Sequence, residues 1–380
     1  MKGSMRERLP GVWEVRVYVG VDPVTGTKRV ASRQVKGGKR EAQVELARFV
    51  AELSDPDAAG RRSSTAVTLT RLINEHLAAW DGSATTLASY RSILSNHVEP
   101  TIGRLPLAEV DARILDRFYR WLRDEKGLAP STIKSVHALI RGSFRHAVVW
   151  GWVASNPAAD ARPPTVHRTG IVLPSAVDLA GALAALEARD LEFATFVRVV
   201  ASTGARRGEV CGLTWGAVDL GDAMMRIDTA VIATTETGVL VQDTKNHVRR
   251  SVGLDAVTVE VLGAHQAVMA ERAAAVGAVL SGGSFVFSHS PTCDRPWRPD
   301  NVSTRWDRIR DGLGLAGVRL HDLRHFQATM LLKAGVPVKN VSKRLGHRDS
   351  STTINVYAQF LEETDRESAD LIGKLLARPD

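Results

Sequence analysis

Cysteine is almost missing from this chain: 380 residues contain only Cys211 and Cys293. The two are far apart and in no metal-ligand spacing, which excludes a structural zinc site and fits a reduced cytoplasm. Long apolar runs are missing too, and none approaches the ~20 residues of a membrane span. The opening MKGSMRERLPGVWEV has basic residues but no apolar core, so export is not expected. Tyrosine is scarce. It stands at 18, 90, 119 and 357, and none separates Tyr119 from Tyr357. Tyr357 is either a core aromatic with an incidental hydroxyl or a hydroxyl that does chemistry.

What is present is cationic charge at one end. Residues 1–40 hold ten Lys and Arg against Glu7, Glu14 and Asp22, which accounts for +7 of the chain's formal +8. A small basic module of this kind points to a polyanion, DNA or RNA. Residues 11–20 (GVWEVRVYVG) alternate as a half-buried strand, and KRVASRQVKG returns as a second. Residues 39–53 then place Ala42, Leu46, Phe49, Val50 and Leu53 on one helical face. Arg16, Lys28, Arg29, Arg33 and Lys36 on the free sheet face are candidate DNA contacts.

The length requires two or three domains. Residues 54–66 (SDPDAAGRRSSTA) read as a linker, and from 67 to about 158 the pattern is helical. Helices are expected from Leu69, from Thr85 to His97, from Ile114 to Arg123 and from Ser131 to Trp150, with Ser131 as N-cap. Asn156-Pro157 and Arg162-Pro163-Pro164 begin a stiff second linker reaching Gly170. Beyond 171 the pattern is mixed, with helices near 175–189, 191–202 and 206–214. Strands are expected near 224–228, 238–243 and 249–253, then more helices. Gly312 to Gly317 match G-x-G-x-x-G but follow a helical segment rather than a strand, which argues against a dinucleotide site.

Four stretches of this last region concentrate chemistry: Thr203 to Val210 (TGARRGEV), Asp243 to His247 (DTKNH), Leu320 to His325 (LHDLRH), and Leu345-Gly346-His347 followed by Tyr357. His321 and His325 have zinc spacing, but the glutamate of H-E-x-x-H is missing and a cationic Arg324 intervenes. Arg206 and Arg324 are equally readable as ion-pair partners of Glu209 and Asp322. Taken together, two arginines, two histidines, a lysine and one tyrosine make a cationic pocket with one nucleophile. Such a pocket suits a phosphodiester, whose non-bridging oxygens match the guanidinium fork. A carboxylate cluster that would hold magnesium is missing from the sequence pattern.

These boxes resemble, in order and spacing, those of the tyrosine recombinases of the phage integrase family: T-G-x-R-x-x-E, a β-hairpin lysine, H-x-x-R, L-G-H and the tyrosine. The resemblance implies a multidomain, mainly α fold with small β-sheets. Residues 1–60 would be an arm-type DNA-binding domain, 67–160 a helical core-binding domain and 171–380 the catalytic domain. It implies that Arg206, Lys245, His321, Arg324 and His347 surround the scissile phosphate, that Tyr357 attacks it, and that Glu209 supports Arg206. Arg249 and Arg250, beside the lysine, are expected on backbone phosphates. One departure is Phe326-Gln327, where the family has a small hydroxyl residue and then an aromatic.

The implied reaction is integration or excision of a phage or mobile element through a 3′-phosphotyrosyl intermediate, with no cofactor. Implied partners are double-stranded attachment sites, further copies of the chain in a tetramer, a DNA-bending host factor and an excision factor. A tail stripe of Leu371, Ile372, Leu375 and Leu376 would dock on a neighbouring copy. Chromosome-dimer resolution, type IB topoisomerase activity and DNA binding by a degenerate pocket are the alternatives.

Overall fold

The computed structural model describes residues 3–21, 28–54, 67–166, 172–234, 238–243 and 249–346, with 370, 372, 373 and 376 near the C-terminus. The chain divides into two compact units, Met1–Arg168 and Thr169–Asp380.

The first unit begins with an antiparallel sheet of β1 (Gly3–Leu9), β2 (Val12–Val21) and β3 (Lys28–Lys36), in that order. The two expected strands are present. The extra strand β1 offers the core little beyond Met5, so its apolar periodicity is invisible in the sequence. Val15 and Val17 of β2 point to one side, where Phe49 of α1 (Lys39–Ser54) covers them with Leu46 and Val50. The opposite side carries cross-strand rows, Ser4–Arg16–Ser32 and Arg6–Glu14–Gln34. Alternation of side chains across a strand separates these two sets.

A second, separate core in this unit is helical: α2 (Leu69–Ala78), α3 (Ala84–Ile93), α4 (Ala112–Asp124) and α5 (Pro130–Val149). Thr68, Ser83 and Asp111 cap α2, α3 and α4 by accepting from backbone N–H groups one turn on. Each such cap contributes about 1 kcal/mol. The helix expected over 85–97 changes character at Leu94, where a π turn runs to Val98. Ser131 is not the cap of α5: Pro130 occupies the first helical position, where its missing N–H costs nothing, and Ala129 precedes it. Tyr119 is a core residue here. It is buried, its hydroxyl meets His137 Nδ1 at 3.1 Å, and burial raises its pKa.

In the second unit α6 (Ala176–Glu187) packs on α7 (Leu191–Thr203), which stops at Gly204 with φ +66°. The short α8 (Arg207–Cys211) follows. Strands β4 (Val218–Asp219), β5 (Met224–Ile227) and β8 (Arg250–Gly253) form one sheet, while β6 (Thr229–Thr234) and β7 (Gly238–Asp243) form a two-stranded ribbon. The expected hairpin between 238–243 and 249–253 is therefore not made. Both strands exist, but β6 captures β7, and β8 pairs with β5. The segment carrying Lys245 joins two different sheets.

Helices α9 (Ala256–Ala274), α10 (Pro299–Ile309), α11 (Asp322–Lys333) and α12 (Val338–Leu345) complete the described part. Phe193, Phe196, Phe287, Trp297 and Trp306 fill the core, and the Trp306 indole donates to Val318 O at 2.8 Å. Among the described residues no helix is long and apolar enough to cross a membrane.

Candidate active site

The site is built where α7 ends, α8 begins, α11 begins and α12 ends. Gly204 makes the first turn possible twice over. Its positive φ favours glycine, and a Cβ there would lie 2.7 Å from Gln327 Oε1 and Leu345 Cδ2. The turn delivers Arg206 to the N-cap of α8. Glu209, one turn on, accepts from the Arg206 backbone N–H (2.8 Å) and from Arg206 Nη1 (2.9 Å). The Arg206 side chain stays 28% exposed.

Arg324 enters from the first turn of α11. It is buried, donating to Gly204 O and, through Nη2, to Leu345 O at 2.7 Å. Arg206 Nη2 reaches the next carbonyl, Gly346 O, at a long 3.5 Å. Two arginines 118 positions apart in sequence thus meet adjacent carbonyls at the end of α12. Those carbonyls carry the negative end of the helix and lack intrahelical partners, so cations are favoured there. Asp322, weighed in the sequence as a partner of Arg324, takes the Arg319 guanidinium and backbone N–H instead.

His321 sits at the N-cap of α11 with an open edge to solvent, its ring edge-on to His325 at 5.0 Å between centroids. Desolvation by the surrounding protein, then the charges of His325 and Arg324, push it down to about 4. It is therefore neutral at pH 7 before any phosphate arrives. Burial likewise lowers His325. Among the described residues no three His, Cys, Asp or Glu side chains gather as a metal-ligand set.

The structure thus brings Arg206, Glu209, His321 and Arg324 together. Lys245, His347 and Tyr357 lie outside the described residues, as do the side chains of Lys28 and Arg29. Arg16 and Lys36 are exposed, Arg16 sharing Glu14 with Arg8. Arg33 does not lie on the free sheet face. It has the parity of Ala31 and Val35, so it faces α1, where it pairs with Glu45 and covers the Phe49 ring at 4.6 Å.

Arg250 also points inward. Arg249 is exposed, but Arg250 is buried and forks onto Glu209, with Nη1–Oε1 at 3.2 Å and Nη2–Oε2 at 2.7 Å. The signal was alternation: Arg250 shares parity with the buried Val252, whereas Ser251 points out. Burial pushes the Glu209 carboxyl up, but Arg250 and Arg206 more than offset this, and it lies below its ordinary value.

Residues 176–363 match the model of the phage integrase family, and residues 67–163 match that of the phage integrase central domain. The chain belongs to the phage integrase family. The ICEBs1 integrase of Bacillus subtilis (strain 168) is 25% identical over 98% of this chain and 100% of its own length. Two solved structures share the fold. The Tn1549 transposon integrase in complex with transposon right end DNA has a TM-score of 0.68, with 16% identity over 81% of this chain and 100% of that one. The lambda integrase tetramer bound to a Holliday junction has a TM-score of 0.57, with 19% identity over 92% of this chain and 93% of that one. Among the described residues, the backbone around Gly204 and Leu345 is where Arg206 and Arg324 meet the end of α12.

Proposed function

We propose that this chain is a site-specific DNA recombinase, an integrase that cuts and rejoins attachment sites of a mobile element through a covalent tyrosine intermediate. The carrying observation is the convergence of Arg206 and Arg324 on neighbouring carbonyls at the end of α12, one and two residues before His347. Two guanidiniums fixed at one point form a cradle for a phosphodiester and for the charge that develops on it.

Tyr357 Oη attacks the scissile phosphorus, and the bond from phosphorus to the 5′-oxygen breaks. The 3′-phosphate remains on the tyrosine, and the departing 5′-oxygen takes a proton from Lys245. His321, neutral in the free protein, has a vacant nitrogen to accept a proton or a hydrogen bond as Tyr357 loses its own. A 5′-hydroxyl from a partner strand then attacks the phosphotyrosyl phosphorus and releases the tyrosine. The number of phosphoester bonds is unchanged, so no energy source is consumed.

We assign residues 1–60 to arm-type DNA, 67–160 to the core site and 171–380 to catalysis. The open sheet face of Ser4, Arg6, Arg16, Ser32, Gln34 and Lys36 supplies groups that hydrogen-bond base edges and phosphates. The end-to-end match to the ICEBs1 integrase favours an integrase over a chromosome-dimer resolvase, which has no such added module. The lambda assembly supports a tetramer on two duplexes. Ile372 and Leu376, both exposed on the single chain, are the described members of the apolar tail stripe assigned to a neighbouring copy. A DNA-bending host factor and an excision factor complete the proposed partners. The test is a nicked core duplex that traps the covalent adduct: the native chain accumulates it, and Tyr357→Phe binds the duplex without forming it.

A further inference from the structure

Arg250 is the first residue of β8, pairs in register with Ile227 of β5 and points inward with Val252. Its side chain is only 4% exposed. All three of its guanidinium nitrogens are used. Two grip the Glu209 carboxylate in a fork, and Nε donates to Arg344 O at 2.9 Å. Glu209 itself is 2% exposed and receives four bonds: Arg206 Nη1 and Arg250 Nη1 on Oε1, Arg206 N and Arg250 Nη2 on Oε2. A carboxylate has about four acceptor sites, so this one is full.

We propose that Arg250 is a positioning residue for strand transfer, one that occupies Glu209 so that Arg206 stays available to the phosphate. This rests on the reading of Arg206 as a phosphate ligand. One carboxylate serves two guanidiniums, which leaves a positive charge uncompensated at this point. Arg250 takes the bidentate geometry, and Arg206 keeps a single side-chain bond to the carboxylate, with Nη2 toward Gly346 O. Without Arg250 the carboxylate turns both oxygens onto Arg206, neutralises it and draws it back from the site.

The same side chain supports the turn into His347. With Arg250 on Arg344 O, Arg324 on Leu345 O and Arg206 near Gly346 O, three arginines meet three consecutive carbonyls at the end of α12. Gly346 lies so close that a Cβ on it would sit 2.7 Å from Arg250 Nη1, and its φ is +67°. Arg250 is also five residues beyond Lys245. It therefore ties the strand that follows the lysine to Arg206 and to the L-G-H turn.

The experiment uses the full chain with Arg250→Met, Arg250→Lys, the pair Arg250→Met/Glu209→Gln, and Arg206→Ala as control. Single-turnover cleavage of the nicked core duplex is measured at saturating protein, beside affinity for the same duplex and thermal melting. Arg250→Met should cleave about 10²-fold more slowly, with affinity little changed because many phosphate contacts supply it. Arg250→Lys should recover only part, since an ammonium cannot make the fork. The double variant should cleave faster than Arg250→Met and slower than the native chain, because a neutral amide cannot recapture Arg206.

Wild-type cleavage by Arg250→Met, or equal losses of rate and affinity, overturns the inference. If Arg250→Met does not fold, Arg250→Lys decides: slowed cleavage at native affinity by the folded lysine variant supports the role, and native cleavage by that variant overturns it. Full activity in Arg206→Ala, by contrast, would overturn the site assignment itself.

Discussion

Arg324 is tied to Leu345 by a charged hydrogen bond of 2.7 Å from Nη2 to the carbonyl, while its Nη1 holds Gly204 O. One buried side chain therefore fixes the turn before Arg206 and the end of α12 together. Arg324→Ala leaves two carbonyls without a donor and should cost about 3 kcal/mol of stability besides ~10²–10³ in cleavage rate. Arg206→Ala should lose a similar factor in rate while melting near the native temperature, because Glu209 keeps its fork with Arg250. Equal melting temperatures for the two variants would contradict this division of roles.

Lys245 is tested by changing the leaving group. With sulfur in place of the bridging 5′-oxygen, a thiolate departs and needs no proton. Lys245→Ala should then be impaired on ordinary DNA and near native on the sulfur duplex, while Arg324→Ala stays impaired on both. Failure of sulfur to rescue Lys245→Ala moves the general acid to another residue, His321 first.

Arg16 and Arg33 belong to the same small sheet but face opposite ways. Arg16→Ala should weaken binding to long attachment-site DNA and reduce the log–log salt slope by about 0.9, the value of one lost phosphate contact. Arg33→Ala should leave the slope unchanged and lower the stability of the sheet–helix module, since its partners are Glu45 and Phe49. A salt slope altered by Arg33→Ala and not by Arg16→Ala would reverse the assignment of the two faces.

Buried histidines predict acid sensitivity. Burial, then the charges of His146 and Arg145, hold His76 down to about 4, and burial also lowers His137 and His265. The unfolded chain binds protons near pH 6.5 and the folded one does not, so stability is complete above that value and falls as pH drops toward 4. The melting temperature should decline from pH 7 to pH 4.5, and His76→Gln should make the decline shallower. A flat profile, or one unchanged by the substitution, would count against the burial argument.

Much of this was readable from pattern alone, and the exceptions share a cause. Helix α1, the helical region from Leu69 and the boxes around Arg206 and Arg324 announce themselves through period and spacing. Strand β6 does not, so β7 looked like the partner of β8. Arg33 and Arg250 were placed on DNA by charge, although the period-two parity of each strand puts them with Val35 and Val252 on inward faces. Charge says that a side chain wants a partner. It does not say whether the partner is a phosphate or a buried glutamate.

The central claim, that Tyr357 performs the chemistry this cradle of arginines supports, is tested most directly by the covalent adduct. Native chain and Tyr357→Phe are incubated with the nicked core duplex, and protein–DNA adducts are resolved under denaturing conditions. Equal binding by the two proteins, with adduct from the native chain alone, is the predicted result. Adduct at the native level from Tyr357→Phe would contradict the account.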